Sequence, residues 1–270
     1  MAILIKILLY SLLFIIPMLL IRRIKHKRMI RRHTIAQLRL TEEQRAELAA
    51  DFPLYLKLPH ELQQELEGLI HVFISEKAFE PCGGLDEITP HMQRLIAAQA
   101  CILLLRKPHD LYANLRTIRL YPEAYIATGE NGETSVRLGE SWTTGSVVLA
   151  WSSVLSGGRN TEDGHNVAIH EFSHQLDQAD GAGDGVPLLE TVGSYKEWAA
   201  VMKPEFEALI RHSEKNKRTV MDSYGATNPA EFFAVATETF YEKPDQLQEK
   251  HPELYNLLQN YYGVNPVEWN

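Results

Sequence analysis

The stretch that most constrains this chain is His170-Glu171-Phe172-Ser173-His174, set within Asn166-Val-Ala-Ile-His-Glu-Phe-Ser-His-Gln-Leu-Asp177. On a helix, residues four apart share a face, so two imidazoles converge on one cation while Glu171 stands beside them to carry a proton. That is the H-E-x-x-H arrangement of a zinc hydrolase. Val167, Ile169, Phe172 and Leu176 supply apolar residues at near-helical spacing, and Asp163-Gly164 and Asp180-Gly181 are turn signals on either side. The expectation is a helix of about three turns. With 11 His in 270 residues, coincidence produces such a pattern in roughly a few per cent of chains. A third ligand is what removes that alternative.

Zinc held by two His on one helix needs one more protein ligand and an open position for water. Asp180, six residues past His174, matches the extended H-E-x-x-H-x-x-G-x-x-ligand spacing, but Asp177 occupies the position where that pattern has Gly. Glu231 is the other candidate, in the first turn of a helix opened by Asn228-Pro229. Asn-x-x-Glu is also a capping box, so Glu231 has an ordinary structural reading as well. Periodicity alone leaves both candidates open. Asp177, three residues after His174, and Glu238, two turns past Glu231, are candidates to orient the ligands, with exposed surface charges as the plain alternative.

Charge is distributed unevenly, and this excludes one class of partner. The net charge is −8, yet the first 40 residues carry nine Lys or Arg and no acid, leaving 18 basic against 35 acidic side chains, about −17, on the rest. Nucleic acid is not an expected partner of so acidic a body. Cys82 and Cys101 fit neither a disulfide framework nor a Cys/His metal cluster. His60 and His71 have no visible ligand partner.

Residues 1–21 are mostly apolar, long enough as a helix to match a bilayer core, and are followed by Arg22, Arg23, Lys25, Lys27, Arg28, Arg31 and Arg32. The expectation is an uncleaved transmembrane anchor and, over 22–40, a basic juxtamembrane linker. Residues 2–32 would then contact inner-membrane lipid, and the body would face the cytoplasm of a bacterium as a single-pass inner-membrane protein. Residues 41–113 read as a helical part: a capping box at Thr41–Gln44, a helix from Pro59 with Leu62, Leu66, Leu69, Ile70 and Phe73 on one stripe, and a third from Pro90 to about Leu105 capped by Thr89. Residues 114–270 read as the catalytic part. It opens with short strands at 117–121, 124–127, 135–138 and 146–151, a turn at 129–133 and a loop at 139–145. Helices follow at about 194–212, 229–241 and 244–262.

Taken together, His170-Glu-Phe-Ser-His174-Gln-Leu-Asp177, Gly185-Val-Pro187, Tyr224-x-x-x-Asn-Pro-Ala-Glu231-Phe-Phe-Ala-Val and Ser141-Trp-Thr-Thr-Gly-Ser-Val-Val-Leu-Ala-Trp151 resemble the Mlc titration factor A family of zinc peptidases. More distantly, they resemble the catalytic domain of anthrax lethal factor. The likeness extends over most of residues 41–265 and stops short of the basic front end. It implies an α+β, zincin-like metallopeptidase fold in which one Zn2+ is bound by His170, His174 and Glu231. It also implies a substrate-facing Tyr224, Glu171 as general base, aminopeptidase-type activity on peptide or protein substrates, and a regulatory protein partner. Asp180 becomes the minor alternative to Glu231. The strand at 146–151 would be the family's edge strand, pairing with an extended peptide by strand addition. A competing reading is a membrane-tethered binding module that sequesters a transcriptional regulator. A structural zinc would need a fourth Cys or His ligand.

Overall fold

The computed structural model describes residues 2–269 apart from 108–109, 129–133, 138, 143–144 and 190, with backbone alone for 2–14, 125–128, 134–137 and 140–142. Caps written in the sequence start two of the front helices. After α1 (Ala2–Ala36), α2 (Glu42–Asp51) begins at Thr41, whose hydroxyl accepts from the Gln44 N–H while the Gln44 side chain accepts from the Thr41 N–H. A single turn, α3 (Leu54–Lys57), leads to α4 (His60–Glu76), which buries the expected stripe from Leu62 to Phe73. Next, β1 (Ala78–Pro81) precedes α5 (Pro90–Cys101), capped by Thr89. The helix expected to reach Leu105 tightens instead into a 3-10 turn at Ile102–Leu104.

The strands are β2 (Thr117–Tyr121), β3 (Tyr125–Thr128), β4 (Thr134–Arg137), β5 (Gly139–Trp142) and β6 (Ser146–Ala150). They are followed by α6 (Trp151–Arg159), α7 (Val167–Asp177), α8 (Val192–Glu214), α9 (Pro229–Glu242), α10 (Pro244–Lys250) and α11 (Pro252–Tyr262). Four strands form one sheet in the order β1-β2-β6-β5: the first three are parallel and β5 runs antiparallel to β6, while β3 pairs with β4 in a separate ribbon.

Two expectations are corrected here. The expected α+β, zincin-like fold with an anchor gives way to a mostly helical chain around a small sheet with three parallel strands. The reason is in the connections. Parallel strands need long crossovers, and α5 fills the one between β1 and β2. The expected edge strand at 146–151 is interior, bonded to β2 on one side and β5 on the other. The edge strands are β1 and β5, and β5 lies within a stretch expected to be a loop. The turn expected at 129–133 lies outside the described residues.

The membrane anchor is the second correction. Among the described residues, no helix is long and apolar enough to cross a membrane. The apolar run and the basic run form one continuous 35-residue helix, and its basic end is bound to the body. Arg28 and Arg32 pair with Glu76 at 2.8 and 2.7 Å, and Arg32 reaches Asp110 at 2.7 Å. Hydrogen bonds from Arg32 and Arg28, against the opposing effect of burial, hold the Glu76 carboxyl down at about 2. Further along, α1 lies so close to α4 that a Cβ on Gly68 would meet the Ala36 carbonyl oxygen at 2.4 Å. Arg28 and Arg32 therefore serve as α1-to-body ion pairs. The single-pass inner-membrane location, the cytoplasmic orientation and the lipid contact of residues 2–32 all rested on the span and are withdrawn with it.

Eleven residues are too few for α7 to be stable alone in water. Burial holds it instead: Ala168, Ile169 and Phe172 are fully buried, and the Phe172 ring packs against Phe73 at 5.8 Å and Tyr112 at 5.3 Å. Burying side chains the size of Ile169 and Phe172 contributes roughly 1.5–3 kcal/mol each, enough to fix the helix with its opposite face free for polar work.

Candidate metal centre

Asn166 starts α7. Its side-chain oxygen accepts from the Ile169 N–H at 3.0 Å, placing the first turn so that His170 and His174 rise on one face with ring centroids 4.9 Å apart. On α9, Asn228 caps the helix by accepting the Glu231 N–H at 3.0 Å. The Glu231 carboxylate does not turn back to close a capping box. Its Oε2 lies 2.9 Å from His170 Nε2 and 3.4 Å from His174 Nε2. Among the described residues, His170, His174 and Glu231 are the one group of three or more potential ligands whose donor atoms all lie within 4.8 Å of one another. Two imidazole nitrogens and one carboxylate oxygen fit a divalent cation with room for a further ligand. Asp180 is exposed, and its Oδ1 accepts from the Ala182 N–H at 2.9 Å.

Both candidate orienting carboxylates are engaged, with different partners. Glu238 is buried on α9, takes the Asn166 N–H on Oε1 at 2.7 Å, and lies 2.9 Å from His170 Nδ1 through Oε2. This pairing directs the other ring nitrogen of His170 toward Glu231. Asp177 is fully buried and takes the Gly185 N–H at 2.8 and 3.0 Å. Gly185 adopts φ +84° and lies so close to the start of α9 that a Cβ would meet the Pro229 carbonyl oxygen at 2.4 Å. The Trp198 indole N–H donates to the Gly185 carbonyl. Asp177 thus pins the loop after α7 against the helix that carries Glu231.

The electrostatics follow from this packing. Burial opposes charge on His170, but the carboxylates of Glu238 and Glu231 outweigh it and raise its pKa well above the usual imidazole range. Burial would likewise raise Glu231, yet the two imidazoles bring it down to about 2. A cation held here would compete with the proton that these carboxylates favour on His170. One turn beyond Glu238, Glu242 is raised well above its ordinary value by burial and by the Glu238 charge.

Glu171 is 8% exposed and sits at β5. Tyr224 is exposed, its ring 5.9 Å from that of His170 and tilted by 42°. The turn that carries it, Ser223–Ala226, is set by Asp222, which accepts the Tyr224 N–H at 2.6 Å. Sequence reading missed Asn166 as a joint cap and Glu238 donor, and Gly185 as a close-approach point. The signals were an Asn just before an apolar-periodic run and a Gly-rich loop after it.

Replacing Glu238 by Ala is expected to weaken metal binding by about 10–100-fold, the usual cost of losing a carboxylate behind a His ligand. Competition against a chromogenic chelator measures it, and an unchanged affinity would leave Glu238 a packing residue.

The chain is 42% identical over 224 residues to a protein of Synechocystis sp. described as uncharacterized, covering 80% of this chain and 81% of the relative. It is 30% identical over 232 residues to Mlc titration factor A of Pectobacterium atrosepticum, covering 81% and 85%. Against Mlc titration factor A of Cronobacter sakazakii it is 28% identical over 235 residues, covering 82% and 86%. The family model that matches residues 24–263 takes in α7, the Tyr224 turn and α9. This chain belongs to the glucose-regulated metallo-peptidase M90 family.

Proposed function

We propose that the protein is a zinc-dependent peptidase, with His170, His174 and Glu231 holding one Zn2+, Glu171 as general base and Tyr224 as oxyanion donor. The observation that carries this reading is the convergence of the three donor atoms one residue away from a buried carboxylate. Zinc bound there would supply a Lewis acid that lowers the pKa of water from about 15.7 toward about 7. Glu171 removes a proton from the water that attacks the peptide carbonyl, then delivers it to the departing amine. Tyr224, at the exposed rim, donates its hydroxyl hydrogen to the carbonyl oxygen as negative charge develops. Glu238 holds the His170 ring in place while this happens. The substrate backbone lies along β5, the edge strand beside Glu171, by strand addition.

Aminopeptidase-type cleavage is the finer form of the proposal. Short chromogenic peptides with free and with blocked N-termini test both levels at once. Turnover that a chelator abolishes and zinc restores is expected, and the free-amine peptides are expected to be the better substrates. Zinc bound with no turnover of either set would overturn the peptidase reading. In that case the name of the relatives, Mlc titration factor A, favours a second reading, the binding of a regulatory protein.

A further inference from the structure

Gly139 opens β5, opposite Leu149 of β6. It is absent from the glycines with positive φ, so an L-residue can adopt its backbone. What demands glycine here is space. A Cβ built on Gly139 would stand 2.7 Å from Glu171 Cγ, 2.8 Å from Glu171 Oε1 and 2.9 Å from Val167 Cγ1. Packed carbon atoms sit at about 3.5–4.0 Å, so something must move. α7 cannot retreat, because Ile169 and Phe172 on its far side are fully buried. β5 is held by its ladder to β6. The Glu171 side chain is the compliant member.

We propose that Gly139 is a positioning residue: the bare backbone of β5 is the wall against which the Glu171 carboxylate is set. The same strand then fixes both the base and the peptide it acts on. A glycine inside a strand often marks such a close approach. The kinetic part of this inference rests on the peptidase reading above; the structural part does not.

The test is Gly139→Ala in the full chain. Its crystal structure is expected to show the Glu171 carboxylate displaced by about 1 Å or more, with His170, His174 and Glu231 in place and one zinc retained. kcat is expected to fall about 10–100-fold, the scale of a misplaced catalytic group, with KM within about twofold. In a Glu171→Gln background the added Gly139→Ala is expected to cost less than about twofold, because residues acting through one group are non-additive. Gly139→Ala with Val167→Ala removes one of the three clashes, guards against a packing failure, and is expected to show the same displacement. An unmoved Glu171, a kcat within about twofold of the parent, or a full cost in the Gln background overturns the proposal. If the parent protein turns over no peptide, the peptidase reading fails and the position of Glu171 in the variant still decides the role of Gly139.

Discussion

Glu171→Gln retains one metal ion per chain and loses peptide hydrolysis by about 10²–10⁴-fold, the range a positioned general base contributes. The substitution keeps the shape of the side chain and removes its ability to take a proton. Metal retention is expected because the three converging donors are His170, His174 and Glu231, and Glu171 is not among them. The fold is expected to persist as well: Glu171 is buried, and the amide occupies nearly the same volume. Metal content by atomic absorption, with kcat and KM on the same sample, reads both halves of the prediction. Loss of the metal would move Glu171 into the ligand set, and a kcat within about tenfold of the parent would remove it from the chemistry. Because the amide remains polar, KM is expected to change far less than kcat, the pattern of an interaction made chiefly in the transition state.

Much of this centre was legible because its parts are local. Helix spacing put His170 and His174 on one face, and Asn228-Pro229 announced the helix of Glu231. Periodicity could not say which way the Glu231 side chain turns. That is a tertiary fact, decided by how α9 packs on α7. The sheet was less legible. β1 is Ala-Phe-Glu-Pro, with no β-branched residue and a Pro tolerated only at an edge. β5 begins with Gly and sits in a run of turn-forming residues. The helix expected over 244–262 is two, because Pro252 removes an N–H and His251 takes an extended φ of −136°. The largest miss was the anchor. Among the described residues no helix is long and apolar enough to cross a membrane, and hydropathy carries no information about Glu76 and Asp110, which lie 48 and 78 positions on from Arg28 and Arg32 and hold that helix to the body.

Glu231→Ala is expected to lose the metal, and Asp180→Ala to keep it at the parent affinity. Removing Glu231 takes away the single carboxylate on which both imidazoles converge, at 2.9 and 3.4 Å. Two histidines alone are a poor zinc site. The loss should exceed the roughly 10–100-fold that follows removal of an outer-sphere partner such as Glu238. Unfolding is not the expected route. Glu231 lies in the first turn of α9, where its backbone N–H stays bound to Asn228, and the helix is anchored by the buried Phe232 and Phe233 beyond it. Circular dichroism of the metal-free variant checks this directly. Asp180 is an internal control of the same charge close to α7, with its carboxylate already committed to the Ala182 N–H. Equilibrium competition with a metallochromic chelator, run at one pH on all three proteins, separates the outcomes. If Glu231→Ala binds one equivalent as tightly as the parent while Asp180→Ala does not, the third ligand lies on the loop after α7 and the convergence on α9 is an ion pair. If neither variant changes the affinity, the two histidines hold no catalytic cation and the peptidase reading falls with them.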